Sequence, residues 1–246
     1  MLRFQDVRGC REKAALLLAQ TCYNFLMERL DDLQHNGLML YQDTDYARFN
    51  ADALWLCSFL RLNQKDTVVE LGSGTGVISI LGADNTKARF IGVERQQRLV
   101  ELAQKSAAHN HQEIQFLCAD AAEAPALLGH GAFSAAVMNP PYFVSGDWAQ
   151  NPSRSLARHD AGDTLKTFLC AAFALLKNGG KLFVIFPASA LGELFASLAC
   201  ARLTPKRIRF VYAAAGGQAL RVLIEAKKDG KPGLVVEPPL YAEEQA

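Results

Sequence analysis

The sequence predicts an α/β fold with a mostly parallel seven-stranded sheet, helices on both faces and an antiparallel hairpin at the sheet edge. From Thr67 onward, short apolar runs alternate with longer segments of helical periodicity. Such alternation implies parallel strands joined by crossover helices. The last two apolar runs, 207–212 and 221–227, have no helical segment between them, which is typical of an antiparallel pair.

The elements of the main domain follow from where these runs begin and end. The predicted strands are 67–71, 89–93, 114–118, 135–138, 181–186, 207–212 and 221–227. The predicted helices between them are 77–82, 96–110, 164–176 and 188–201. Asn178-Gly179-Gly180 closes the third helix, and Pro187 stops the strand that follows. Three prolines after 227 indicate an irregular tail.

The first part of the chain is predicted to be a helical and hairpin extension. Residues 11–33 place apolar side chains at intervals of three and four, which predicts a helix. His35-Asn36-Gly37 predicts a turn, with short strands at 38–42 and 46–49. Asn50 is a suitable cap for a helix over 51–62. We therefore expect an extension over 1–62 and a main domain over 63–246, and the sequence assigns no role to residues 1–28.

Composition is that of an ordinary globular protein. Of 246 residues, 50% are hydrophobic and 21% charged, and the net charge of +1 neither supports nor excludes a nucleic-acid partner. The six cysteines are scattered without metal-binding spacing, so we expect reduced thiols and no metal site. A secretory signal and a membrane-length apolar run are not found, which predicts a cytoplasmic protein without a membrane partner.

The first motif, Glu70-Leu71-Gly72-Ser73-Gly74-Thr75-Gly76, joins a strand to a helix. Glycine suits a place where the backbone turns tightly or approaches a ligand closely. In open α/β sheets such turns bind ligands beside the carboxyl ends of the strands. Dinucleotide dehydrogenases use G-x-G-x-x-G, but Val77 occupies the position of their third glycine, which disfavours that class.

Acidic residues end the next two strands. Glu94 stands where a carboxylate can accept hydrogen bonds from both hydroxyls of a ribose. Asp120 ends the third strand. Either residue alone is typical of a solvated charge, but three successive strands that end in a glycine turn, Glu and Asp indicate a nucleotide-like ligand.

The most specific motif is Asn139-Pro140-Pro141-Tyr142, which follows the fourth strand. The prolines fix φ and remove N–H donors, so the turn is stiff and presents carbonyl groups. The side-chain oxygen of Asn139 and the carbonyl oxygen of Pro140 can both accept hydrogen bonds from the N–H groups of one amino group. Tyr142 offers a face on which a base can stack, a contact that contributes about 1–3 kcal/mol.

Together these motifs resemble the class I S-adenosylmethionine-dependent methyltransferases of the amino-methylating branch. The closer resemblance is to the bacterial tRNA(Val) adenine-37 N6-methyltransferase family, and it covers residues 29 to 242. Further matching segments are 46–53, 157–160, 206–211, 230–233 and 238–241. The resemblance implies a Rossmann-like methyltransferase fold, S-adenosylmethionine as cofactor and the N6 amino group of adenosine as methyl acceptor.

The resemblance also implies roles for individual residues. The implied cofactor-binding residues are Phe49, Asp52, Glu70, Gly72, Gly74, Gly76, Glu94, Asp120 and Asn139. The implied catalytic residues are Asn139, Pro140 and Tyr142, with Phe143 lining the pocket of the target base. No metal is needed, because a sulfonium methyl group is already a good electrophile.

A structured RNA with a splayed loop base is the expected substrate, because the chain has no room for a module that reads duplex DNA. Arg154, Arg158 and His159 follow the catalytic turn closely enough to bind a phosphate beside the target. Lys206, Arg207 and Arg209 would extend that surface. For each of these residues a solvated surface charge is an equal alternative. The resemblance supports tRNA as partner, and a monomer and a homodimer both remain open.

Two other functions remain open from the residues alone. The Asn-Pro-Pro-Tyr turn also suits the carboxamide of a glutamine side chain, which makes a protein glutamine N-methyltransferase the first alternative. A cofactor-binding scaffold without catalysis is the second alternative, although the intact Asn139 and Tyr142 argue against it.

Overall fold

A computed structural model describes residues 27–46, 49–141 and 161–242 of the chain. The strands are β1 Glu28–Asp32, β2 Met39–Asp43, β3 Thr67–Leu71, β4 Arg89–Glu94, β5 Gln115–Cys118, β6 Phe133–Met138, β7 Leu176–Pro187, β8 Leu203–Tyr212, β9 Ala219–Lys228, β10 Val235–Val236 and β11 Leu240–Tyr241. The helices are α1 Ala51–Phe59, α2 Val77–Thr86, α3 Gln97–His109, α4 Ala124–Leu128, α5 Ala161–Leu175 and α6 Leu191–Cys200, the last preceded by the 3-10 turn Ala188–Ala190.

The central sheet confirms the predicted architecture. Its seven long strands lie in the order β8-β9-β7-β6-β3-β4-β5, and β9 runs antiparallel to both of its neighbours. The five strands β3 to β7 are mutually parallel. The irregular tail predicted after 227 is wrong in part, because β10 and β11 pair in parallel with the outer edge of β8. Strands of two residues are too short to carry a sequence pattern.

Helices cover the sheet on both faces, as predicted. On one face α1 and α2 bury Leu56 and Ile80, and on the other α5 and α6 bury Leu169 and Leu198; each of these four side chains is fully inaccessible to solvent. The central strands are therefore buried on both sides, which accounts for continuous apolar runs such as 182–186.

The N-terminal hairpin departs from the prediction of a helix over 11–33. Residues 28–32 form β1, which pairs with β2 around a turn with positive φ at Asn36 and Gly37. Glu28 forms ion pairs with Arg98 and Lys105 on α3, so tertiary contacts override the helical periodicity of this segment. Residues 11–26 of that prediction lie outside the described residues.

Two further predictions in this region have different outcomes. The prediction of a strand over 46–49 is wrong at Tyr46 and Phe49, the two described residues of this range, since neither is in a strand. The predicted cap is confirmed, because Asn50 accepts a hydrogen bond from the N–H of Asp52 at 3.1 Å and begins α1. The domain boundary after residue 62 stays a prediction.

Candidate active site at the carboxyl ends of the central strands

The motif residues meet at one edge of the sheet because their strands are parallel. The chain builds outward from β3 through β4 to β5, and then returns to place β6 on the other side of β3. Strand order therefore reverses between β3 and β6, and such a reversal opens the crevice in which α/β sheets bind ligands. The glycine turn after β3 and Asn139 after β6 flank this crevice.

The glycine turn is held to its neighbour by two backbone hydrogen bonds. The N–H groups of Gly72 and Ser73 both donate to the carbonyl of Val93, at 2.8 and 3.1 Å. A Cβ atom on Gly76 would lie 2.7 Å from the ring of Phe116, so close packing requires glycine there. Gly74 has a φ of 54°, and an added Cβ would meet nothing within 4 Å. This part of the turn faces open space, where a ligand can approach the backbone.

Glu94 and Asp120 lie at the ends of adjacent strands, as predicted. The carboxylate of Glu94 accepts from the N–H of Gly74 at 3.1 Å and from the N–H of Gln96 at 2.9 Å. Because a carboxylate can accept about four hydrogen bonds, capacity remains for hydroxyl donors. Asp120 is exposed and uses one oxygen to accept from the N–H of Ala122 at 2.9 Å.

Glu70 stabilises the helix that follows the glycine turn. Its carboxyl group is 1% exposed and accepts hydrogen bonds from both the N–H and the hydroxyl of Ser79 on α2. Burial raises the pKa of Glu70 to about 8, against the lowering effect of the Ser79 hydrogen bonds, and the nearby Glu94 raises it further. Ser79 was not singled out from the sequence, because no pattern links it to Glu70.

Asn139 presents a buried acceptor at the end of β6. Its Oδ1 atom is inaccessible to solvent and accepts no hydrogen bond from the described residues. Leaving such a group unpaired costs about 1–3 kcal/mol, so this oxygen suits a ligand with an N–H or O–H donor. Pro140 is buried beside it, and Pro141 is exposed. The other predicted residues of this region lie outside the described residues: Tyr142, Phe143, Arg154, Arg158 and His159.

Phe49 and Asp52 are held by contacts with different parts of the chain, Phe49 by Gln42 on β2 and Asp52 by Arg221 on β9. The N–H of Phe49 donates to the side-chain oxygen of Gln42 at 3.1 Å, and its ring packs against the core around α1 and α2. Asp52 is 2% exposed, and both of its carboxylate oxygens accept from Nε of Arg221 on β9, at 3.1 and 3.0 Å. Arg221 carried no motif, since a single charge within an apolar run gives no sequence signal.

The sequence predicts that Arg207 extends a basic surface near the C-terminus, and this prediction is wrong. This residue is 6% exposed, forms ion pairs with Glu225 at 2.8 Å and Glu237 at 3.1 Å, and lies 3.8 Å from the ring centre of Phe59. It is therefore part of the interior. Lys206 donates to carbonyl groups at 231 and 232, and Arg209 donates to the carbonyl of Pro238.

Among residues 27–46, 49–141 and 161–242, no group of three His, Cys, Asp or Glu side chains could hold a metal ion. Within those ranges no helix has both the length and the apolar character needed to cross a membrane.

The described residues fit the cofactor that the resemblance implies. The glycine turn is open at Gly74, Glu94 has remaining acceptor capacity beside it, and Asn139 presents an unpaired oxygen across the crevice. Backbone N–H groups and carboxylates at these positions suit the methionine and ribose parts of S-adenosylmethionine, and the amide oxygen suits an amino group.

Comparison with known proteins agrees with this chemistry. A tRNA1(Val) (adenine(37)-N6)-methyltransferase of Porphyromonas gingivalis is 30% identical over 162 residues, which cover 64% of each chain. One of the same name from Aeromonas hydrophila is 27% identical over 183 residues, covering 72% of this chain and 75% of the relative. This chain thus spans somewhat less than two thirds of the length of the P. gingivalis relative.

Solved structures share the fold. A predicted O-methyltransferase from Agrobacterium tumefaciens has a TM-score of 0.63 at 24% identity, covering 77% of this chain and 86% of its own. A T. thermophilus 16S rRNA N2 methyltransferase, solved with AdoMet and guanosine, has a TM-score of 0.59 at 19% identity, covering 82% and 50%.

The family model of the methyltransferase small domain matches residues 46–193, which include the glycine turn, Glu94, Asp120 and the Asn-Pro-Pro turn. The chain therefore belongs to the methyltransferase small domain family, with a Rossmann-like fold and S-adenosylmethionine as cofactor.

Proposed function

We propose that this protein methylates the N6 amino group of an adenosine in RNA, with tRNA as the substrate class and the cytoplasm as its place of action. The observation that carries the proposal is the unpaired, buried Oδ1 of Asn139 beside the glycine turn. An amide oxygen at this position complements an amino group on a flat base. The names of the curated relatives support adenine and tRNA as the acceptor.

The chain's own residues would bind and orient the amino group. Asn139 Oδ1 and the carbonyl oxygen of Pro140 accept hydrogen bonds from its two N–H groups. These bonds make the nitrogen more pyramidal and concentrate its lone pair. Tyr142 stacks on the base, and Phe143 lines the same pocket. When bound, S-adenosylmethionine supplies a methyl group on a sulfonium, so positioning and electrostatics account for most of the acceleration.

The cofactor would be held by residues on the other side of the crevice. Gly72, Gly74 and Gly76 meet its methionine part, and Glu94 binds the ribose hydroxyls. The carboxylate of Asp120 accepts from the amino group of its adenine. Glu70 would stabilise the glycine turn through the hydrogen bonds that it accepts from Ser79 on α2.

The RNA would reach the site over basic residues near the catalytic turn. Arg154, Arg158 and His159 are proposed to bind phosphates beside the target nucleotide. Lys206 and Arg209 are the remaining candidates on β8, because among the described residues neither forms an ion pair with a carboxylate, in contrast to Arg207.

The decisive experiment measures transfer of a radiolabelled methyl group into total tRNA from a bacterial strain that lacks this activity. We expect label in tRNA, and N6-methyladenosine after digestion to nucleosides. The Asn139→Ala variant is the matched control, which should bind cofactor but transfer no methyl group.

A lysate treated with RNase or with protease before the reaction separates the alternatives. Loss of the label after RNase supports the RNA substrate. Loss only after protease would overturn the proposal in favour of glutamine methylation, and tight cofactor binding with no labelled product would favour a scaffold.

A further inference from the structure

An ion pair between a buried carboxylate and a partly exposed arginine connects the first helix to the edge hairpin at the level of the candidate site. Asp52 lies in the first turn of α1, with its side chain 3% exposed, and its partner Arg221 lies near the start of β9. The two residues are 169 positions apart in sequence. The N–H of Arg221 Nε is shared between both carboxylate oxygens of Asp52, which is a charge-assisted contact.

The register of the sheet places this pair beside the Asn-Pro-Pro turn. Met138 pairs with Val184, so the turn at 139–141 is level with 185–187. Pro187 pairs with Arg221 on the next strand. Because neighbouring strands are about 4.8 Å apart, the backbone of Arg221 lies roughly 10 Å from the turn.

The same helix also borders the glycine turn. Sγ of Cys57 on α1 lies 3.7 Å from the carbonyl of Ile78, in the first turn of α2 directly after Gly76. α1 therefore contacts the helix that begins at the glycine turn through Cys57, and the strand that carries Arg221 through Asp52. The segment 49–52, which contains the expected cofactor-binding residues Phe49 and Asp52, leads into this helix.

This segment is held at each end by a buried polar contact. At one end Gln42, which is 4% exposed, accepts from the N–H of Phe49 at 3.1 Å. At the other end Asp52 binds Arg221, while Asn50 accepts from the N–H of Asp52 and donates to its carboxylate at 3.3 Å. The Arg221 contact is the only one of these that reaches the C-terminal half of the chain.

We infer that Arg221 is a positioning residue, which through Asp52 fixes the segment 49–52 as a wall of the cofactor pocket. Removing its charge would take the Arg221 cation away from a buried carboxylate. The start of α1 would then have to move toward water, and the wall would move with it. The cofactor-binding assay for this inference requires only that the chain belongs to the methyltransferase family. The assay with tRNA also rests on the proposed function.

The test measures binding of S-adenosylhomocysteine by calorimetry at 15 °C, for variants whose circular dichroism matches the parent. Arg221→Gln and Asp52→Asn should each raise Kd by about tenfold or more, and the double variant should bind no more weakly than the worse single one. Arg221→Lys, which keeps the charge, should restore part of the affinity. With tRNA as acceptor, KM for the cofactor should rise more than kcat falls.

Glu225→Gln is the matched control, because it breaks a second ion pair of β9, the one that Glu225 forms with the buried Arg207 on β8. It should lower Tm and leave Kd within twofold of the parent. If Arg221→Gln and Asp52→Asn behave like this control, the pair is structural only and the inference is overturned. Failure of the RNA assay alone would contradict the proposed function and leave the binding result intact.

Discussion

The buried carboxyl group of Glu70 makes a quantitative prediction about stability and pH. Its ordinary pKa is 4.5, and in the folded protein burial raises the pKa to about 8. Between these values the folded state keeps a proton that the unfolded state releases. The free energy of unfolding should therefore fall by about 1.4 kcal/mol for each pH unit through this window, and by roughly 4–5 kcal/mol in all.

The sign follows from which state holds the proton. Below pH 4.5 both states are protonated and the contribution is fully present, whereas it is lost as the pH rises toward 8. In Glu70→Gln the amide can still accept from Ser79 but does not titrate. The variant should therefore gain stability relative to the parent as the pH increases.

Urea unfolding of parent and variant at several pH values between 5 and 8, without cofactor, measures this difference. Glu113→Gln is the control, because Glu113 is exposed. We expect the control to follow the parent at every pH. Parallel pH profiles for the parent and Glu70→Gln would refute the reasoning, since they would mean that Glu70 binds protons equally in both states.

Three further substitutions test the site and the packing behind it. Asn139→Ala should lower kcat by roughly a hundredfold or more with little change in cofactor Kd, because it removes a hydrogen bond to the reacting group; unchanged turnover would exclude the proposed role. Glu94→Gln should weaken cofactor binding about tenfold in calorimetry, since charge-assisted hydrogen bonds are the stronger kind; equal affinity would contradict the ribose assignment. Gly92→Ala should destabilise the protein by about 1–3 kcal/mol in urea unfolding through overpacking. Its new Cβ would lie 2.4 Å from the ring of Phe116, and an unaltered midpoint would show that the ring relaxes freely.

Sequence patterns predicted the sheet and the positions of Glu94, Asp120 and Asn139, and the reason is physical. Each pattern is local: an apolar run fixes a strand, and the residue after it must lie at the strand's end. Parallel strands then bring those ends to one edge without further information.

The parts that sequence did not predict depend on contacts between distant segments. The sequence predicts a surface charge at Arg207, but the guanidinium reaches Phe59, 148 residues away, and forms ion pairs with two carboxylates. The sequence predicts a helix at 28–32, but β2 and α3 provide the partners of this segment. The periodicity of a sequence predicts which side of an element is apolar. It does not predict which other element will pack against that side.

The ring of Phe116 has a consequence for how this chain can change over evolutionary time. It comes from the edge strand β5 and fills the space left by two glycines, Gly76 in the glycine turn and Gly92 on β4. These three positions form one interlocking unit, in which a larger side chain at either glycine requires a smaller one at 116. We expect them to vary together among relatives, and we expect a substitution on β5 to alter the glycine turn from a distance.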